Sequence, residues 1–154
     1  MIAAPAHIVL ARAPSLEAMW PEIYPLFEKH WAEIAHFKDI PLNPDTARYF
    51  QLDAAGFMRV FTARAEGKLV GYSVYFVMTH LHFKQSVQAT QDVFFIDKDN
   101  RGFGMRFLRW CDEELRKEGV QVVANAVSEA NDYSLVLRRM GYKRSDQMYV
   151  RRLA

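Results

Sequence analysis

The sequence predicts an α+β domain with a mixed, largely antiparallel sheet of about six to seven strands and helices on both faces. Three observations lead there. The first third carries a helical stripe, the middle carries β-rich runs joined by a tight turn, and Ala89 to Val127 reads as one strand–helix–strand unit. Runs joined by short turns pair antiparallel, whereas a helix between two strands returns the chain in parallel.

The expected order is β, α, α, β, β, β, α, β, α, β. His7–Ala11 alternates weakly as a first strand, and Pro14-Ser15 is placed to start a helix. Leu16, Trp20, Ile23, Phe27, Trp31 and Ile34 recur every three or four residues, which assigns Trp20 and Trp31 to the core of a helix that Pro21 and Pro25 should break or kink. Asn43 as cap and Pro44 as first helical residue start a second helix running to about Leu52. Two β-rich runs between Phe57 and His80 flank Glu66-Gly67, the pattern of a hairpin. Gln88–Ile96 follows as a strand whose unbroken Val93-Phe94-Phe95-Ile96 suits the sheet interior.

From Gly102, the apolar positions Phe103, Phe107, Leu108, Cys111 and Leu115 mark a helix with one buried face, closed by Gly119. Val120–Val127 is a further strand. Asn131-Asp132 cap a last helix that ends at Gly141, and Gln147–Leu153 forms a final strand.

A single domain spanning residues 1–154 is long enough to bury most of its apolar surface without staples. With 51% hydrophobic, 25% charged and 14% aromatic residues, it is globular rather than disordered. Net charge is only +2, yet residues 1–100 hold 9 basic and 11 acidic side chains and residues 101–154 hold 11 and 7. The cationic C-terminal third suits a phosphate-bearing ligand or, equally, solvated helix faces. It lacks the basic-aromatic interleaving of a nucleic-acid surface, so no nucleic-acid partner is expected.

The single cysteine, Cys111, excludes an internal disulfide and a thiolate zinc cluster and fits a reducing compartment. No basic segment precedes the first apolar residues, and no run approaches the roughly 18 apolar residues of a membrane span. A cytoplasmic protein without a membrane partner is expected. His80 and His82 alternate along one strand face but have no third ligand close in sequence, so no metal is expected either.

The stretch Ile96–Trp110, IDKDNRGFGMRFLRW, holds two glycines at the mouth of a helix. The first N–H groups of a helix lack intrahelical partners, and its dipole favours anions there. Without Cβ atoms, Gly102 and Gly104 let a phosphate approach the backbone, with Asn100 and Arg101 beside them; the same glycines equally suit close helix–strand packing. Neither a P-loop nor a dinucleotide-binding fingerprint is present.

Together with the order of elements, DVFFIDKDNRGFGMRFLRWCDEELRKEGV resembles the cofactor-binding motif of the GNAT superfamily, the acyl-CoA-dependent N-acyltransferases, whose loop is commonly Gln/Arg-x-x-Gly-x-Gly/Ala. The register runs from Asp99 to Gly104, with Asp99 in the Gln/Arg position. A second landmark, the helix after the fifth strand, is matched by Asn131, Ser134 and Gly141-Tyr142; Leu137 stands where the family often has a general-acid tyrosine, and Tyr133 lies one turn earlier. The resemblance spans residues 7–152 and, in overall impression, extends to GNAT-like proteins encoded by bacteriophages and prophages.

The resemblance implies transfer of an acetyl group from acetyl-CoA to a primary amine of a small molecule or peptide by direct attack. Acetyl-CoA would enter a V-shaped opening between two central strands, with pantetheine along the backbone of Phe94, Phe95 and Ile96. The pyrophosphate would rest on Asn100, Arg101, Gly102, Phe103, Gly104 and Met105, and Asn131 belongs to the second landmark. For the base, the candidates are Glu33 and His36, where the family places its acceptor wall, and Asp92 on the central strand. Each also reads as an ordinary solvated or strand-end residue. A homodimer through a strand pair near the C-terminus is a family habit. Leu137 at the tyrosine position leaves open a non-catalytic acyl-CoA sensor or interaction module on the same fold.

Overall fold

A single five-stranded sheet runs through the middle of the chain in the order β1-β2-β3-β4-β5, seen in a computed structural model that describes residues 7–154. The opening residues 1–6, on which the reading of the N-terminal segment partly rests, lie outside the described residues. The elements are β1 Ile8–Arg12, α1 Leu16–Ile34, α2 Thr46–Ala54, β2 Met58–Ala65, β3 Lys68–His80, β4 Phe83–Ile96, α3 Gly104–Lys117, β5 Val122–Ala124 and α4 Ser134–Arg139. A 3₁₀ turn, Lys98–Phe103, leads into α3.

Neighbouring strands are antiparallel from β1 to β4, and the β4–β5 pair alone is parallel, bridged by α3 as the strand–helix–strand reading required. Glu66 and Gly67 join β2 to β3 with φ of 50° and 80°, the left-handed pair whose twist matches that of the flanking strands. Gly71 serves a different need. A Cβ there would lie 3.0 Å from the Phe95 carbonyl oxygen and 3.2 Å from Ile96 Cγ1, so the bare residue lets β3 close against the end of β4.

Helices cover both faces. Leu16, Met19, Ile23 and Leu26 of α1 pack with Val60, Tyr72, Val74, Val93 and Phe95 of the sheet, and α2 adds Tyr49, Phe50 and Leu52 at the margin. On the other face Phe107, Cys111 and Leu115 of α3 meet Phe61, Tyr75, Val77 and Ile96. Cys111 is fully buried, so it fills space in the core.

Four expectations need correction. The sheet has five strands rather than six or seven, because Gln147–Leu153 forms no ladder. β5 contributes only Val122–Ala124, too short a row of N–H and C=O groups to template another strand, and Met148, Tyr149 and Leu153 are left 85%, 86% and 84% exposed. The strand pair expected near the C-terminus to support a homodimer is therefore not formed.

Pro21 and Pro25 do not break α1, which runs unbroken from Leu16 to Ile34. Both face solvent on the side opposite Met19, Ile23 and Leu26, where a helix curving round a core already opens its carbonyls, and burial of the inner face outweighs the missing hydrogen bonds. α2 starts two residues later than expected, because Asp45 rather than Asn43 accepts from the Arg48 N–H (3.0 Å). α4 is likewise only Ser134–Arg139, with the Asp132 carboxylate accepting from the Ser134 N–H at 2.8 Å.

Candidate active site

β4 pairs with β5 only at Gln88, Ala89 and Thr90, in register with Val122, Val123 and Ala124. Beyond Thr90 the two strands part, and the β5-side edge of Gln91–Ile96 has no strand partner. The parting coincides with a bulge: Val74 and Tyr75 of β3 face Val93 and Gln91, leaving Asp92 as the extra residue of β4. A bulge sharpens local twist and disrupts the ladder, here where the strands separate.

Two side chains meet across the parting. Tyr133 Oη lies 3.0 Å from Gln91 Oε1 and 3.3 Å from the Ala126 carbonyl just past β5, so its one proton serves either acceptor. Its ring rests on Phe94 at 5.3 Å. Burial pushes the hydroxyl up to about 12, with the Gln91 bond acting in the opposite sense. Gln91 is buried, yet its Nε2 has no protein partner. Leu137 is buried in the core, so the family's tyrosine position is a packing position here.

The turn after β4 is tightly bonded within itself. Asp97 accepts from the Lys98 N–H (2.9 Å) and from Lys29 Nζ (2.6 Å), which holds its carboxyl below the usual range, chiefly through the lysine. The Asn100 N–H donates to the Asp97 carbonyl (2.9 Å) and the Gly104 N–H to the Arg101 carbonyl. Arg101 donates through Nε to the Ile96 carbonyl (3.0 Å) and through Nη2 to both oxygens of Glu33 (2.9 and 2.7 Å), and it lies over the Phe95 ring at 6.0 Å. Two candidates from distant parts of the chain, Glu33 and Arg101, are thus one ion pair.

Gly102 and Gly104 answer the packing alternative. A Cβ at Gly102 would meet nothing within 4 Å, and one at Gly104 would make an ordinary contact, 3.5 Å from Ile96 Cδ1. Neither has positive φ. Bare backbone at Gly102 therefore serves neither conformation nor packing inside the chain. Phe103 packs towards Phe107 (6.3 Å), and Phe94, Phe95 and Ile96 point their side chains into the core, so only their backbone is offered to a ligand.

Two of the remaining candidates, Asp92 and His36, lie beside α2. Asp92, partly open to solvent, accepts from Tyr49 Oη at 2.8 Å; partial desolvation of its carboxyl raises its pKa, and the tyrosine's hydrogen bond lowers it. His36 and Tyr49 both border a cavity of about 460 Å³ between the end of α1 and the start of α2. Trp31 lines the same cavity instead of lying in the core. Asn131 ends a short turn ahead of Tyr133, its N–H donating to the Ser128 carbonyl (3.1 Å).

His30 and Tyr49 carried no signal in the sequence. The first matters because it stacks on Phe95 (5.2 Å), and the second because it reaches Asp92 across 43 positions of chain. His80 and His82 sit ring against ring at 5.2 Å with the His82 N–H donating to His80 Nδ1 (3.1 Å). Among the described residues no group of three or more His, Cys, Asp or Glu is arranged to hold a metal, and no helix is long and apolar enough to cross a membrane.

A three-layer domain whose β4 and β5 strands part beside a turn and helix has the GNAT fold. Among solved structures, an aminoglycoside acetyltransferase from an uncultured soil metagenomic sample, in complex with sisomicin, matches with a TM-score of 0.69 at 17% identity, covering 96% of this chain and 95% of its own. A ribosomal-protein-alanine N-acetyltransferase from Brucella melitensis biovar Abortus 2308 matches with a TM-score of 0.71 at 16% identity over 96% and 100%. A predicted acetyltransferase from Clostridium acetobutylicum, solved with acetyl-CoA, matches with a TM-score of 0.70 at 11% identity over 95% and 96%. Identities this low establish the fold, and they do not single out the bacteriophage-encoded subgroup. No protein-family model and no curated protein matches the chain.

Proposed function

We propose that the protein transfers an acetyl group from acetyl-CoA to a primary amine of a small molecule or peptide, as a cytoplasmic enzyme with no metal, membrane or nucleic-acid partner. One observation carries this reading: β4 and β5 part beside a turn whose Gly102 faces open space. The open backbone edge of Phe94–Ile96 offers the row of N–H and C=O groups that pantetheine amides pair with, and the orphaned Gln91 Nε2 wants an acceptor in the same place. Asn100–Met105 would hold the pyrophosphate at the start of α3, exchanging bonds now made inside the turn, and Asn131 is proposed as a further cofactor contact from its place in the second landmark.

Acetyl-CoA, when bound, supplies an activated acyl group, so that a C–N bond to the amine forms as the C–S bond breaks. Asp92 is the base that best fits. Its raised pKa makes it more basic than an ordinary carboxylate, and Tyr49 fixes its orientation. Both oxygens of Glu33 hold Arg101, so Glu33 anchors the turn, and His36 belongs to the acceptor wall. Tyr133 Oη, protonated throughout the neutral range, donates the proton that the departing sulfur needs.

The test is calorimetric titration with acetyl-CoA, CoA and ATP against the wild type and Gly102→Glu. The open space around Gly102 lets the variant fold. The expected result is binding of acetyl-CoA and CoA but not ATP, weakened at least about tenfold in the variant by repulsion exceeding ~1.4 kcal/mol. Equal affinity of wild type and variant would sink the assignment of the turn.

A further inference from the structure

Resting on the acetyl-transfer reading, we infer that the acceptor is an arylalkyl monoamine, its apolar group held in the cavity between α1, residues 35–45 and α2, its ammonium directed past Tyr49 to Asp92. The cavity of about 460 Å³ falls within the ~300–1,000 Å³ of small-ligand sites. Phe27, Trp31, Phe37, Leu42 and Tyr49 line it, and Val150 of the C-terminal segment adds a further contact, with Arg152 tied to Asp39 nearby. Phe37 and Ile40 stand 36% and 50% exposed at this place, apolar groups with an unfilled space beside them.

Charge decides the class of amine. Among the described residues, the ionisable side chains lining the cavity are His36 and Tyr49, and no carboxylate lines it. Asp39 is paired with Arg152, Asp45 caps its own helix at the Arg48 N–H, and Asp92, joined to the cavity through Tyr49, has one oxygen uncommitted. A polycation would bring several ammonium groups against walls that carry no carboxylate, and each unpaired charge would be costly to desolvate. A monoamine brings one charge, and the aromatic faces accept it further. A peptide would need hydrogen-bond partners for its amides that these walls do not supply.

A second group marks the polar end. Tyr72 Oη is buried, has no partner in the protein, and lies within electrostatic reach of both Asp92 and Tyr49. An amine or its water shell at Asp92 gives that hydroxyl the partner it lacks.

The experiment has two readouts: calorimetric binding of phenethylamine, spermidine, kanamycin and diglycine to the protein without donor, and thiol release from saturating acetyl-CoA with each. Phe37→Ser, in a half-exposed loop, tests the wall without touching the core. The inference predicts that phenethylamine binds and is acetylated in preference, that F37S weakens its binding about tenfold through lost apolar burial, and that acetyl-CoA affinity is unchanged. Acetylation of kanamycin, spermidine or diglycine with phenethylamine neither bound nor turned over would overturn it while leaving acetyl transfer intact. Unaltered phenethylamine binding in F37S would overturn the cavity assignment. Absence of acetyl-CoA binding would instead defeat the transfer reading, and the amine titration would still decide the cavity.

Discussion

The Tyr133 hydroxyl stands where two strands part, with Gln91 on one side and the Ala126 carbonyl on the other. Burial disfavours the phenolate, so the proposed acid holds its proton at neutral pH. Tyr133→Phe keeps the ring on Phe94 and removes only the oxygen. Stopped-flow assays should record kcat lowered about a hundredfold with acetyl-CoA affinity nearly unchanged; a kcat equal to wild type would remove Tyr133 from the chemistry. The resemblance puts the acid at position 137, where this chain has leucine, and gives Tyr133 no role. Spacing along a helix cannot say that Leu137 is buried or that Tyr133 precedes α4 and faces the parting.

At the scale of elements, α1 is joined to β4 and its turn by polar links of long sequence separation: Glu33 to Arg101, Lys29 to Asp97, and His30 stacked on Phe95. Burial lowers the His30 pKa below its ordinary 6.5, the Glu33 carboxylate opposes that, and the Arg101 guanidinium adds to it. The unfolded chain therefore takes up this proton first. Stability from the neutral imidazole is full above 6.5 and is lost as pH falls below it towards the folded value. His30→Phe preserves the stacking and removes the titration. Between about pH 7.5 and about pH 5.5, the melting temperature of the wild type should fall more than that of H30F; parallel declines would contradict the assignment.

Local signals explain which elements were legible. The Glu66-Gly67 turn, the apolar Val93–Ile96 run and the stripe of α3 each lie within a few residues, and each forms as expected. The start of α2 slipped because Asn43 and Asp45 are both cap-competent and only the fold selects between them. Gln147–Leu153 has strand-like residues, but a strand exists only with a partner, and β5 is too short to provide one.

For the whole molecule, helices cover both faces of the sheet, and β4 parts from the edge strand β5 next to the Asp92 bulge, where the candidate site is assembled. The donor half was legible from the glycines and their neighbours. The acceptor half was not, because Tyr49–Asp92 and the cavity walls come from segments that only tertiary packing unites. The most direct measurement is amide hydrogen exchange with and without acetyl-CoA. The account predicts slowed exchange confined to Gln91–Ile96 and Asn100–Met105, the open edge of β4 and the bare turn. Unchanged exchange there, or protection at the His80–His82 hairpin instead, would contradict it.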